Sequence, residues 1–216
     1  MDTEIIHLLS FASESICVHA EQSNDAIFPI ESGNMREELL RLFARRNGFY
    51  AFESALLVRP ISSATSPLGI IEWNSPTLWK SEFKSNEELL SIVFFAEDIF
   101  GVQFCIKSNG VNSFNPETGE YIFIAPTLNG WAGWILEKYK IRTGWPLAHL
   151  WQKSHGPLKS GMRLLPKKPF VLGGQYALEN LYELDDVESM RFRSTIANQL
   201  LDCPDGSKVV LRVNHN

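Results

Sequence analysis

No stretch of this sequence carries the roughly 20 consecutive apolar residues that a helix needs to cross a bilayer. Its start, Met1-Asp2-Thr3-Glu4, is acidic where a secretory leader would be basic. Both absences point to a soluble, cytoplasmic product without a membrane partner. Cysteine is scarce: Cys17, Cys105 and Cys203 are odd in number, far apart and without Cys-x-x-Cys spacing. That pattern indicates neither a disulfide framework nor a structural zinc site, and leaves reduced thiols. Positive charge is in deficit too. A formal net charge of −5 argues against direct nucleic-acid binding through phosphate neutralisation. Internal repeats and low-complexity tracts are also missing.

What is present is enough apolar material for one sizeable core. At 216 residues and 44% hydrophobic, the chain is expected to form a single domain over 1–216. The charge is unevenly distributed. Lys138, Lys140, Arg142, Lys153, Lys159, Arg163, Lys167 and Lys168 are eight basic residues in a segment, 138–178, that has no Asp or Glu; the remainder holds 12 basic and 25 acidic residues, a balance of −13. Segregated charge can steer a complementary partner, but the competing reading is an ordinary solvated surface, because segregation in sequence need not survive folding.

Local patterns give the element order. Asn34 with Glu37 marks a helix start, Leu39, Leu42 and Phe43 supply one apolar stripe, and Gly48 ends it. Phe49 to Val58, stopped by Pro60, reads as one buried strand, followed by a loop over 62–67. Ser85 and Glu88 resemble a capping box, but the β-branched and aromatic run that follows predicts only a helical turn before a strand. After Gly101, residues Val102, Phe104 and Ile106 alternate with Gln103, Cys105 and Lys107, the period of a strand with one face on the core and Cys105 turned away from it. Val111 to Phe114 and Tyr121 to Ile124 flank Asn115-Pro116-Glu117-Thr118-Gly119, where proline presets a turn and glycine accepts positive φ. Leu128, Trp131, Ala132, Ile135, Leu136 and Tyr139 recur at steps of three and four, an amphipathic helix closed by Gly144 and Pro146. Beyond it come a helical patch at Leu147 to Gln152, a strand-like Phe170-Val171-Leu172, a helix opened by Asp185 or Asp186 and ended near Pro204 and Gly206, and a final strand from Val209 to Val213.

Few residues suggest chemistry. Glu97 and Asp98 could divide acid and base roles, as paired carboxylates do. Adjacent strand residues point to opposite faces, however, and a structural corner with Asp98 bonding backbone amides ahead of Gly101 competes with that reading. His149 and His155 lack the separation of three or four that puts two ligands on one helix face, so no metal is expected. Cys17 and His19 show no activating environment, and Cys17 reads as inert. Gly173-Gly174 lacks the G-x-G-x-x-G spacing of a phosphate loop, and no cofactor is expected. Trp134 lies off the core stripe and is a candidate recognition residue. Glu179, Glu183, Asp185, Asp186 and Glu188 form an acidic patch whose plain role is helix capping. Its sharper role is to mimic nucleic-acid charge and plug a basic nuclease cleft.

The segment between about Leu89 and Ile135 resembles the SUKH superfamily, bacterial toxin-immunity proteins related to the yeast Smi/Knr cell-wall regulator group. The likeness rests on the Phe-Phe-Ala-Glu-Asp-Ile-Phe-Gly corner (94–101), the alternating strand after it, the Asn-Pro-Glu-Thr-Gly-Glu hairpin and the helix with Trp131. It implies an α+β fold in which a twisted, mainly antiparallel sheet is flanked by helices. It also implies a non-enzymatic binding protein that neutralises a cognate toxin, often a nuclease, in a stoichiometric complex. A scaffold bridging cellular proteins is the alternative among the yeast relatives, and a hydrolase using Glu97 or Asp98 is the alternative from a different class. Toxin-binding residues vary by partner within the superfamily and do not transfer to this chain, and the oligomeric state is left open.

Overall fold

The computed structural model describes residues 2–17, 34–84, 87–201 and 203. Helices α1 (Thr3–Leu9) and α2 (Asn34–Arg45) precede a hairpin of β1 (Phe49–Ala51) and β2 (Leu56–Val58). Helix α3 (Ile70–Trp73) and 3-10 turns at Lys80–Glu82 and Glu87–Leu90 lead into β3 (Val93–Asp98), β4 (Gln103–Lys107), β5 (Gly110–Asn115) and β6 (Glu120–Ala125). Then come α4 (Leu128–Glu137), α5 (Tyr139–Arg142), α6 (Trp145–His155), β7 (Met162–Pro166), 3-10 turns at Phe170–Leu172 and Leu178–Asn180, β8 (Leu181–Asp185) and α7 (Asp186–Leu200). Strands β1 to β6 lie in chain order as an antiparallel sheet, and β7 pairs with β8 in a second one. The fold is α+β, with an antiparallel sheet flanked by helices, as expected from the sequence. Among the described residues no helix is long and apolar enough to cross a membrane.

The central sheet is covered on both sides. Trp131 and Ile135 of α4 and Leu39 and Phe43 of α2 join Phe95, Phe104 and Val111 in one core cluster. Trp73, Trp79, Met190 and Ala197 join Phe94, Cys105 and Phe114 in a second. Burying each of these larger apolar side chains is worth about 1.5–3 kcal/mol, so the sheet is held from two directions. This corrects the expectation that β4 has one buried face. Phe104 belongs to the first cluster and Cys105 to the second, because α3 and α7, distant in sequence, converge on the face that alternation alone assigns to solvent. Burial drives the Cys105 thiol up to about 12, which makes it unreactive.

Three further expectations need correction. Phe49 to Val58 is a hairpin rather than one strand: Phe52, Glu53 and Ser54 all adopt positive φ (53°, 53° and 67°) and reverse the chain without a glycine to announce it. Phe170–Leu172 is a 3-10 turn. The patch at 147–152 belongs to α6, which starts earlier, at Trp145, with Pro146 in its first turn, where a missing N–H costs nothing. The hairpin at Asn115–Glu120 and the cap of α7 match their expected places; the stripe does so from Leu128 to Leu136, but α4 stops at Glu137, Tyr139 begins α5, and Pro146 opens α6 instead of closing α4. Thr127 caps α4 by accepting from the Gly130 amide, and Asp185 caps α7 by accepting from Val187 and Glu188. Ser85, His19, Pro204, Gly206 and the strand expected at 209–213 lie outside the described residues.

Candidate functional site

The acidic pair at the end of β3 divides between two surroundings. Glu97, 1% exposed, accepts from Arg59 Nη2 at 3.0 Å, Arg163 Nε at 2.7 Å and Gln103 Nε2 at 2.6 Å. Arg59 Nη2 also donates to Asp186 at 2.8 Å, and the Arg59 guanidinium lies 3.4 Å from the centre of the Trp73 ring, whose Nε1 donates to Gln103. Burial alone would push the Glu97 carboxyl up. The Arg59 and Arg163 charges and the Gln103 amide outweigh it and hold the group below the usual carboxylate range. Asp186 goes the other way: burial raises its pKa, the nearby Glu97 charge adds to that, and the Arg59 charge and hydrogen bond only partly offset them.

Asp98 instead ends β3 at the wall of a cavity of about 410 Å³. Its Oδ1 accepts from the Phe100 and Val102 amides, both at 2.9 Å, which is the structural corner expected from the sequence. Burial raises its pKa to about 7, against the opposing effects of those amides and of Arg193. The other polar walls are Arg193 of α7, Glu117 of the β5–β6 turn and Lys140 of α5. Glu117 accepts the Val171 amide through Oε2 at 2.9 Å, and its Oε1 stands 3.9 Å from Arg193 Nε. Phe100, Phe170 and Tyr176 form the aromatic side, the last two stacked at 3.9 Å and 7°.

Two glycines make this geometry possible. Gly101 has φ 73°, and a Cβ there would sit 2.7 Å from Arg193 Nη1. Gly144 has φ 70°, and a Cβ there would meet the Phe100 ring at 2.4 Å. A side chain at either position is strained by its backbone conformation as well as crowded.

The residues predicted for partner contact are dispersed in role. Trp134 is half-buried, packs its edge on Phe104 and carries the Arg142 guanidinium over its ring at 4.2 Å. Asp186 is buried on Arg59 and so cannot present itself to a partner, while Asp185 is spent on the α7 cap. Glu179 and Glu188 are exposed and Glu183 is half-buried, with Glu188 paired to Arg191 at 3.1 Å. The basic segment is also broken up, since Arg163 is buried on Glu97 and Arg142 reaches Glu137. His149 bonds Glu53 at 2.7 Å and stacks on Trp145, His155 stacks on Trp151, and Gly173 forms a turn with φ 80°.

Sequence reasoning missed Arg59, Lys140, Glu117, Tyr176 and Arg193 as members of a site. One signal was available: Arg193 stands on the α7 stripe between Met190 and Ala197, at steps of three and four, where an apolar residue would be ordinary. Arg59 likewise closes the buried run Leu56-Leu57-Val58.

No family model and no curated protein matches the chain. Among solved structures, the crystal structure of Atu4351 from Agrobacterium tumefaciens is similar, with a TM-score of 0.54 and 14% identity over 86% of this chain and 86% of that one. At that identity the likeness speaks for a shared fold alone.

Proposed function

We propose that the chain is an immunity-type binding protein that works in the cytoplasm and neutralises a cognate toxin, with nucleases the first class to test, by forming a stoichiometric protein complex. The observation that carries this reading is the employment of the acidic pair. Glu97 spends its oxygens on two arginines and a glutamine, and Asp98 spends Oδ1 on two backbone amides. Groups committed in this way hold a fold, and a general acid or base needs a free oxygen within reach of a substrate proton. With both oxygens of Glu97 committed and Asp98 anchored through Oδ1 to the backbone corner, surface complementarity is the better-supported mode of action. Glu179 supplies exposed negative charge of the sign that a basic nuclease cleft attracts, with Glu183 half-buried nearby and Glu188 sharing its charge with Arg191.

The test is capture of partners by the tagged protein from its native cell at moderate and at high salt, with masses and stoichiometry determined. A single partner at one-to-one ratio, weakened by salt and inhibited in the purified complex, supports immunity. Several substoichiometric partners would replace it with the scaffold reading. The hydrolase alternative predicts that substituting Glu97 or Asp98 abolishes turnover with the fold intact, and loss of stability in both variants would rule it out.

A further inference from the structure

Five chain segments meet around the 410 Å³ cavity and leave its polar wall unfinished. Arg193 is 2% exposed, yet its Nε and Nη1 donate no hydrogen bond. A buried donor without an acceptor is destabilising, and more so when it is charged. The neighbouring carboxylates do not supply the acceptor. Glu117 Oε1 is 3.9 Å away and its Oε2 is taken by Val171, while Asp98 Oδ1 already accepts from two amides. A guanidinium at the wall of a low-dielectric cavity is suited to an oxyanion, which it holds by charge-assisted bonds in a planar fork.

We propose that this cavity is a binding site for a small organic acid, whose carboxylate pairs with Arg193 and whose apolar or aromatic body lies along Phe100, Phe170 and Tyr176. The site goes beyond the protein-binding reading and does not depend on it. Its volume lies within the roughly 300–1,000 Å³ typical of small-molecule sites, and its composition, an apolar lining with a few convergent polar groups, is theirs as well. The stacked Phe170–Tyr176 pair offers a flat aromatic wall. The charge balance admits an anion: Arg193 and Lys140 face Glu117 and an Asp98 whose pKa burial raises to about 7, and protonation of Asp98 leaves the wall net positive. A ligand amine would be repelled by Arg193 instead.

The experiment is titration of the full chain with 3-phenylpropionate, benzoate and indole-3-acetate, each against its neutral amide. Binding is read by calorimetry and by chemical-shift changes at the Phe100, Gly101 and Glu117 amides. The expected result is saturable binding of at least one acid, about 10-fold or more tighter than its amide. Arg193→Met should erase that preference, and Tyr176→Ala, on a ring that is 65% exposed, should weaken acid and amide alike without disturbing the fold. Equal affinity for acid and amide, no saturable binding by any of the three acids, or an acid preference that survives in folded Arg193→Met would overturn the proposal. Should Arg193→Met not fold, Lys140→Gln and Tyr176→Ala decide: weaker acid binding in both supports the site, and unchanged binding in both refutes it.

Discussion

Around Glu97, two arginines and a glutamine close on one carboxylate, whereas around Arg193 of α7 the one paired carboxylate, Glu117, stays at 3.9 Å and two guanidinium nitrogens donate no hydrogen bond. Both regions are buried and both hold charges of either sign. Taking an ion out of water costs several kcal/mol, and attraction within the protein offsets it only where partners approach with good geometry. The Glu97 network has that geometry in most of its bonds, with Arg59 Nε and Arg163 Nη2 the nitrogens left over. The Arg193 region instead has a cavity that this residue lines. The first region is therefore built for stability, and the second for something brought from outside.

Replacing Glu97 by Ala leaves Arg59 and Arg163 buried without their carboxylate and should cost about 3–5 kcal/mol, measured by urea unfolding. A loss below 1 kcal/mol would show that the network is not what holds this end of the sheet. Asp98 gives a pH effect that can be read at neutral pH. Its proton is held more tightly in the folded state (pKa about 7) than at its ordinary value of 3.8. The group therefore adds stability that is fully present below that ordinary value and is lost as pH rises through about 7. At roughly 1.4 kcal/mol per pKa unit, the span is at most about 4 kcal/mol. Asp98→Asn, which keeps an acceptor for the two amides, should flatten the decline in melting temperature from pH 4 to 8; an unchanged slope would put the titration elsewhere.

Arg193→Met should cost less than Glu97→Ala, about 1–2 kcal/mol, because it breaks one long ion pair, to Glu117 at 3.9 Å, and no hydrogen bond, and keeps the stem's packing. A loss as large as that of Glu97→Ala would place Arg193 in the structural class. Last, reversing the exposed charge at Glu179 should change stability by no more than about 0.5 kcal/mol, as read by thermal melts. On the binding reading it should slow association with a captured partner, and an unchanged association rate would remove this residue from the interface.

Much of the fold was legible because its signals are local. Period-two alternation around Phe104, the Asn-Pro-Glu-Thr-Gly turn and the three-four spacing from Leu128 to Ile135 each specify an element within a short window, and each appears in place. The β1–β2 reversal was not legible, because three residues other than glycine take positive φ there under the constraint of the surrounding sheet. The pairing of β7 with β8 was missed for another reason: residues 167–180 separate the strands, and Leu164 and Leu181 are covered by core residues distant in sequence. The candidate site was half legible. The Asp98 corner could be read from Asp, Gly and spacing, but that the corner, the Glu117 turn and Arg193 share one cavity could not.

Local sequence was enough for strands β3 to β6, the α4 stripe, the start of α7 and the Asp98 corner, since backbone period, side-chain volume and turn chemistry act between near neighbours. Only the tertiary structure decided which charges are matched and which are left open. Arg59, Glu97, Arg163 and Asp186 come from four separate segments, as do Asp98, Glu117, Lys140 and Arg193, and the energy of a buried charge depends on distances that exist only once those segments have packed.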